Sequence, residues 1–249
     1  MAFETNRFCW HGCVSTNTKA AKAFYTEVIG WKVETVPMGD ADATFFMAGG
    51  KRVGHLTDPP MDGVPSHWNN YLRVDDVDAA AKIAVSNGGK QLVPGTDIPP
   101  GRFSVVASPS GATFTLFREA DADAAHHPGG HGSVHWVELH SKDVAADLKW
   151  LTKTFGFETE EMPMPDGPYT ILKSDGEMRG GVMAGQEEKA PSMWLAWIEV
   201  SDVDDTVARA SNNKGNILAP TFDVPNIGRM AIIQDPAGGV LGVITPAAS

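Results

Sequence analysis

The sequence predicts an α+β protein assembled from four copies of a β-α-β-β-β unit, and three observations predict it. A shift of 126 residues lays the chain on itself: Trp10 meets Trp136, Ser15 meets Ser141, Gly30 meets Gly156 and Trp68 meets Trp194. A shift of 58 relates the opening of the first half to a second opening inside it, so that Gly30 meets Gly88. After each helical pattern come short β-type runs separated by Gly and Pro turns. Self-similarity at fixed periods marks a duplicated supersecondary unit, and the turn residues delimit its strands.

Taken in order, a strand over Phe8–Ser15 leads to a helix over Lys19–Ile29 that stops at Gly30. Strands over Lys32–Val36, Thr44–Ala48 and Arg52–Thr57 complete the first unit. The second runs Asn70–Val74, helix Val77–Ser86, the Gly88-Gly89 stop, then Lys90–Pro94, Phe103–Ala107 and Thr113–Arg118. The second half repeats this plan. With one residue inserted near Asn226, Gly101-Arg102-Phe103 matches Gly228-Arg229-Met230 and Ser108-Pro109-Ser110-Gly111 matches Asp235-Pro236-Ala237-Gly238. Asp75 to Asp78 and Ser201 to Asp204 have the spacing of a helix cap followed three residues later by an acid, which favours the positive end of the helix dipole. The aspartates are capping residues rather than a calcium loop, because the loop glycine and final glutamate are missing.

The seam between the halves, Asp121 to Gly132, has no apolar periodicity and reads as a linker. The domains are therefore expected at 1–120 and 133–249, with 121–132 between them. His126, His127 and His131 lie in that linker beside Pro128-Gly129-Gly130, where flexible spacing presets no metal geometry. The formal net charge of −11 repels phosphate backbones and anionic lipid, which argues against nucleic-acid and membrane partners. No apolar run reaches the roughly 20 residues of a membrane-spanning helix, and the first residues lack a signal-segment pattern, so a cytoplasmic location is expected. The two cysteines, Cys9 and Cys13, would lie roughly 13 Å apart on one strand, too far for a disulfide or a shared metal ion. They are packed thiols.

Together AAKAFYTEVIGW (20–31), WNNYLRVDDVDAA (68–80), GRFSVVASPSG (101–111) and GRMAIIQDPAGG (228–239) resemble the vicinal oxygen chelate superfamily. Its members include glyoxalases, bleomycin-resistance proteins and extradiol dioxygenases. The resemblance covers residues 6–118 and 131–245 and lies nearest the two-domain glyoxalase-like branch. It implies two tandem cup-shaped, glyoxalase-like half-barrels, each built from two βαβββ units and holding a ligand or metal in its cup. Two domains in one chain already supply the pairing that single-domain relatives obtain by dimerising, so monomer and homodimer both stay open.

The superfamily's metal chemistry uses inward His or Glu ligands on the first and last strands of each unit. Carried over, those places fall on Trp10, His55, Asn69 and Thr115 in the first domain, and on Trp136, Gly181, Leu195 and Gly242 in the second. Only His55 offers a good donor for a divalent ion. No metal and no other cofactor is therefore expected. On the strand Val134–Ser141 the period of two places Trp136, Glu138 and His140 on one face, with Val137 and Leu139 on the other. Glu138 and His140 are candidate catalytic residues for acid–base work, or a pair that orients a ligand. Trp10, Trp68, Trp136 and Trp194, with His55, are candidate ligand-binding residues, since aromatic walls stack flat or apolar molecules; a packing layer is the alternative for the tryptophans. Arg102 and Arg229 suit surface ion pairs, or an anionic ligand at a cup rim.

Three functions are compatible with this pattern. The first is a metal-free protein that binds a small, partly aromatic or apolar molecule, as the bleomycin-resistance relatives imply. The second is a glyoxalase-like lyase or isomerase using Glu138 and His140 or an unconventional metal site. The third is an interaction protein with a vestigial cup. Extradiol ring cleavage is disfavoured, because the two-His-one-carboxylate triad is missing from both cups.

Overall fold

The computed structural model describes residues 5–38, 41–120, 129–164, 167–185 and 189–247. The described residues form four βαβββ modules. The first contains β1 (Phe8–Val14), α1 (Thr18–Val28), β2 (Lys32–Met38), β3 (Ala41–Ala48) and β4 (Lys51–Thr57). The second contains β5 (His67–Arg73), α2 (Val77–Ser86), β6 (Lys90–Ile98), β7 (Gly101–Ala107) and β8 (Thr113–Glu119). The third contains β9 (Val134–Ser141), α3 (Val144–Phe155), β10 (Glu158–Met164), β11 (Gly167–Ser174) and β12 (Glu177–Ala184). The fourth contains β13 (Met193–Glu199), α4 (Val203–Asn212), β14 (Asn216–Val224), β15 (Gly228–Gln234) and β16 (Val240–Pro246).

The strands form two eight-stranded sheets, in the orders β2-β3-β4-β1-β5-β8-β7-β6 and β10-β11-β12-β9-β13-β16-β15-β14. This is the α+β arrangement the repeat predicts, one sheet for each half. Strands β2, β6, β10 and β14 pass through Pro37, Pro94, Pro163 and Pro220, and β2 and β6 run longer than the sequence pattern marks. All four are edge strands, where a missing N–H breaks no central ladder and discourages pairing with another chain. No helix among the described residues is long and apolar enough to cross a membrane.

The helix caps lie one residue later than the expected Asp75 and Ser201. Asp76 accepts from the Ala79 amide at 2.9 Å and Asp202 from the Asp205 amide at 2.9 Å. Both caps have extended backbone, which aims the carboxylate at the third N–H of the helix. The acids Asp78 and Asp204 stand in the first turn and pair with Arg102 at 2.9 Å and Arg229 at 2.7 Å. Both arginines are thus engaged in surface ion pairs.

By packing, the chain divides into two compact units. Among the described residues, one comprises 10–38, 41–69, 129–136 and 196–247, which joins the first module to the fourth. Its core gathers Cys13, Phe24, Tyr25, Trp31, Phe46 and Trp68 with Ala196, Ile198, Ala210, Ile233, Leu241 and Val243. Inside it the Trp68 indole donates to the Tyr25 hydroxyl at 2.8 Å, which donates to Asp235 at 2.8 Å. The other Asp235 oxygen accepts the amides of Ala237, Gly238 and Gly239. A buried carboxylate so fully satisfied ties the closing turn to α1.

The second unit comprises, among the described residues, 5–9, 70–120, 137–164, 167–185 and 189–195. Its aromatic core joins Phe8, Phe114, Trp150, Phe155 and Trp194, with centroids 4.9 Å apart for Phe8–Trp194 and 5.9 Å for Phe114–Trp150. Here the buried carboxylate is Asp147 on α3, which accepts from Ser141 at 2.6 Å and from the amide and hydroxyl of Ser110. Cys9 and Cys13 are buried free thiols, and burial raises both above the ordinary thiol range.

Candidate functional site

In the first unit, β1 runs parallel to β4 with Gly12 opposite His55. Trp10 lies two residues before Gly12 and shares its face of the strand. The Trp10 indole Nε1 donates to His55 Nδ1 at 2.8 Å, and the two rings are nearly parallel, 6° apart. An indole can only donate, so Nδ1 carries the lone pair and the neutral ring keeps its proton on Nε2. Burial pushes the imidazole down to about 4, which keeps it uncharged at neutral pH. Gly12 makes this possible. A Cβ there would come within 2.3 Å of His55 Cε1 and 2.6 Å of Nε2. Phe45, opposite His55 on β3, meets Trp10 edge-on at 6.3 Å and carries the Arg52 guanidinium 4.1 Å above its ring.

In the second unit, β9 runs parallel to β12 with Glu138 opposite Gly181. The topological place is the same, but the residue types are exchanged: the polar side chain stands on the first strand and the glycine on the last. Glu138 Oε1 lies 2.7 Å from His140 Nε2, and Oε2 accepts from the Tyr169 hydroxyl at 3.0 Å. Gly181 provides the room, since a Cβ there would lie 1.9 Å from the Tyr169 oxygen. Glu138 and His140 meet on one face of β9, and Val137 and Leu139, buried apolar residues, alternate with them on the other. The Glu138 side chain is 8% exposed and that of His140 16%, so the imidazole stands on the more open side of the pair. Trp136, half-buried, precedes Glu138 by two residues and has its strand direction.

The remaining candidates are placed elsewhere. Trp68 is enclosed by Tyr25, Trp31 and Phe46, at centroid distances of 5.3, 5.7 and 6.1 Å. Trp194 lies in the Phe8–Phe114 stack. Both are packing residues, and the structure brings neither to the Trp10–His55 or Glu138–His140 cluster. Thr115 and Leu195 are fully buried, and Asn69 is half-buried. Gly242 lies under the ring of Trp197, its partner across β13 and β16, where a Cβ would be 2.2 Å from Cε3. His126 and His127 lie outside the described residues. His131 is held between the Ile29 carbonyl, 2.9 Å from Nε2, and the Ser201 amide, 3.1 Å from Nδ1. Among the described residues no three His, Cys, Asp or Glu side chains converge as a metal-binding group.

Sequence reasoning missed Tyr169 and the function of the glycines. Tyr169 has no aromatic counterpart 126 residues earlier, where Ala43 stands, so the repeat does not point to it. The available signal was Gly in mid-strand, which marks a close approach by another group. At Gly12, Gly181 and Gly242 a neighbouring ring fills the space, whereas at Gly54, Gly95 and Gly180 the nearest atom is a backbone carbonyl or a carboxylate oxygen.

Comparison with known proteins adds relatives to this geometry. A family profile described as the Glyoxalase/Bleomycin resistance protein/Dioxygenase superfamily matches residues 12–116 and 133–242. The chain is 31% identical over 245 residues to "Putative glyoxylase CFP32" of Mycobacterium tuberculosis, covering 96% of this chain and 94% of that protein. It is 30% identical over 254 residues to "Anthracycline biosynthesis protein DauV" of Streptomyces sp. (strain C5), covering 94% and 91%. Among solved structures, the Mn(II)-bound glyoxalase from Novosphingobium aromaticivorans superposes with a TM-score of 0.64 at 20% identity, over 98% of this chain and 83% of that one. The 2,3-dioxygenase LapB from Pseudomonas sp. KL28 superposes at 0.66 and 14% identity, over 99% and 94%. At those identities the structural likeness concerns the fold alone.

Proposed function

The chain belongs to the glyoxalase/bleomycin resistance protein/dioxygenase superfamily, and from that premise we propose that it binds a small, partly aromatic or apolar molecule without a metal. The observation that carries this reading is the Trp10–His55 hydrogen bond. A metal ligand must present a lone pair, and His55 spends its own on the Trp10 indole while Nε2 holds the proton. Trp10 has none to offer. Glu138, which stands opposite Gly181 in the second half, has its two oxygens within hydrogen-bond distance of His140 and Tyr169. These side chains therefore fit a divalent ion poorly. What they do fit is a neutral ligand held against indole and imidazole rings with a few fixed polar groups. A relative assigned by name to anthracycline biosynthesis agrees with a ligand of aromatic character.

The Glu138–His140 contact favours a second reading, an enzyme of the lyase or isomerase kind. A carboxylate and an imidazole in hydrogen-bond contact can move a proton on a bound molecule. Isothermal calorimetry against a panel of planar aromatic compounds tests the first reading. Micromolar binding that weakens about tenfold in Trp10→Ala, with unfolding still cooperative, is the expected result. Stoichiometric metal in protein purified without chelator, retained by wild type and lost in His55→Ala, would overturn it. Turnover of any bound compound, abolished in both Glu138→Gln and His140→Ala, would favour the enzyme.

A further inference from the structure

The Glu138, His140 and Tyr169 cluster has a hydrogen-bond polarity that neither reading above assigns. A carboxylate can only accept, so Tyr169 donates to Oε2 and His140 donates to Oε1 through Nε2. In the neutral imidazole that contact places the proton on Nε2 and leaves the lone pair on Nδ1. Of the two side chains His140 is the more exposed, so the imidazole rather than the enclosed carboxylate stands on the open side of the pair.

We propose that His140 Nδ1 is the polar anchor of this face, that it accepts a hydrogen bond from a neutral ligand bearing a weakly acidic hydroxyl, and that Glu138 and Tyr169 are the positioning residues that hold it in that tautomer. The inference rests on the ligand-binding reading above and deepens it. Three observations set the ligand class. The anchor nitrogen is an acceptor, so the ligand group must donate. The carboxylate beside it, in a chain of net charge −11, repels carboxylate and phosphate groups. Trp136 precedes Glu138 on the same strand face, which suits a hydroxyl carried on a flat ring. Tyr169 in turn depends on Gly181, the residue that leaves space for its hydroxyl. A phenol or a stable enol meets these requirements; its methyl ether does not.

Two measurements test this. Nitrogen-15 NMR of the labelled protein, with the His140 signals assigned by their loss in His140→Phe, reads the tautomer without any ligand. Protonated Nε2 with bare Nδ1 is expected, and Glu138→Ala should relax the signals toward the mixed tautomers of a free imidazole. A proton on Nδ1 in the wild type overturns the proposal. Calorimetry then compares 2-naphthol with 2-methoxynaphthalene, which differ at the hydroxyl. Wild type should prefer the naphthol by about tenfold, the worth of one good hydrogen bond. His140→Phe should erase the preference, and His140→Gln, which keeps an acceptor, should retain part of it. Equal binding of the two probes overturns the proposal and leaves the ligand-binding reading standing. Binding of neither probe overturns the hydroxyl anchor and counts against that reading as well.

Discussion

Gly12 faces His55 across one parallel strand pair, and Glu138 faces Gly181 across the other. The two pairs occupy the same place in the two repeats, yet each keeps a polar side chain where the other has a hydrogen atom. In the first, an indole N–H caps Nδ1 and leaves the ring neutral with Nε2–H. In the second, the proposed polarity has the carboxylate accept the Nε2–H, with Nδ1 left as the acceptor of the neutral ring. Duplication preserved the backbone and reversed the hydrogen-bond polarity. The lesson is that a shared fold transmits places, while the chemistry at each place follows from the first neighbour in contact with it.

The largest test of this contrast is Glu138→Ala. It leaves the Tyr169 hydroxyl and a His140 N–H without their acceptor, at a cost of about 3 kcal/mol in urea unfolding. Tyr169→Phe, which removes one donor, should cost about 1 kcal/mol. Equal, negligible effects of both would mean that the second cluster is not a coupled network.

Acid distinguishes the two histidines next. The folded-state value of His55 is lowered from 6.5 to about 4, so between those limits the unfolded chain binds the proton more readily than the native one. The stability due to neutral His55 is complete above pH 6.5 and is lost as pH falls toward 4, by up to about 3 kcal/mol. Subtracting the urea-derived pH profile of His55→Gln from that of wild type isolates this contribution. A flat difference between pH 4 and 6.5 would remove the buried, indole-capped imidazole from the account.

The smallest effects come from the glycines. Gly12→Ala should destabilise by about 2 kcal/mol, because the methyl group collides with the His55 ring. In a His55→Ala background the same change should cost little. Gly181→Ala should behave likewise toward Tyr169. Additive double mutants would show that ring and glycine do not share the space.

Much of this architecture is legible in the order of the amino acids. The 126-residue and 58-residue shifts locate the four modules, and the β9 alternation puts Glu138 and His140 on one face opposite Val137 and Leu139. The helix caps are read one residue early, since Asp75 and Asp76, like Ser201 and Asp202, are both competent caps, and only backbone conformation chooses between them. The tryptophans divide in a way that repetition does not reveal. Trp10 stands against an imidazole, whereas Trp68, an equally matched residue, is closed in by Tyr25 and Phe46.

Periodicity, turn residues and internal repetition are local properties, so the amino-acid order alone was enough to establish the modules, the strand faces and the family. Which modules pack together was decided in three dimensions: the first joins the fourth and the second joins the third, in each case enclosing an aromatic core and one buried aspartate. The hydrogen-bond partners of His55 and His140 were decided there as well. A proton's position depends on the group within 3 Å of it, and Trp10 lies 45 residues from His55 and Tyr169 31 residues from Glu138 along the chain.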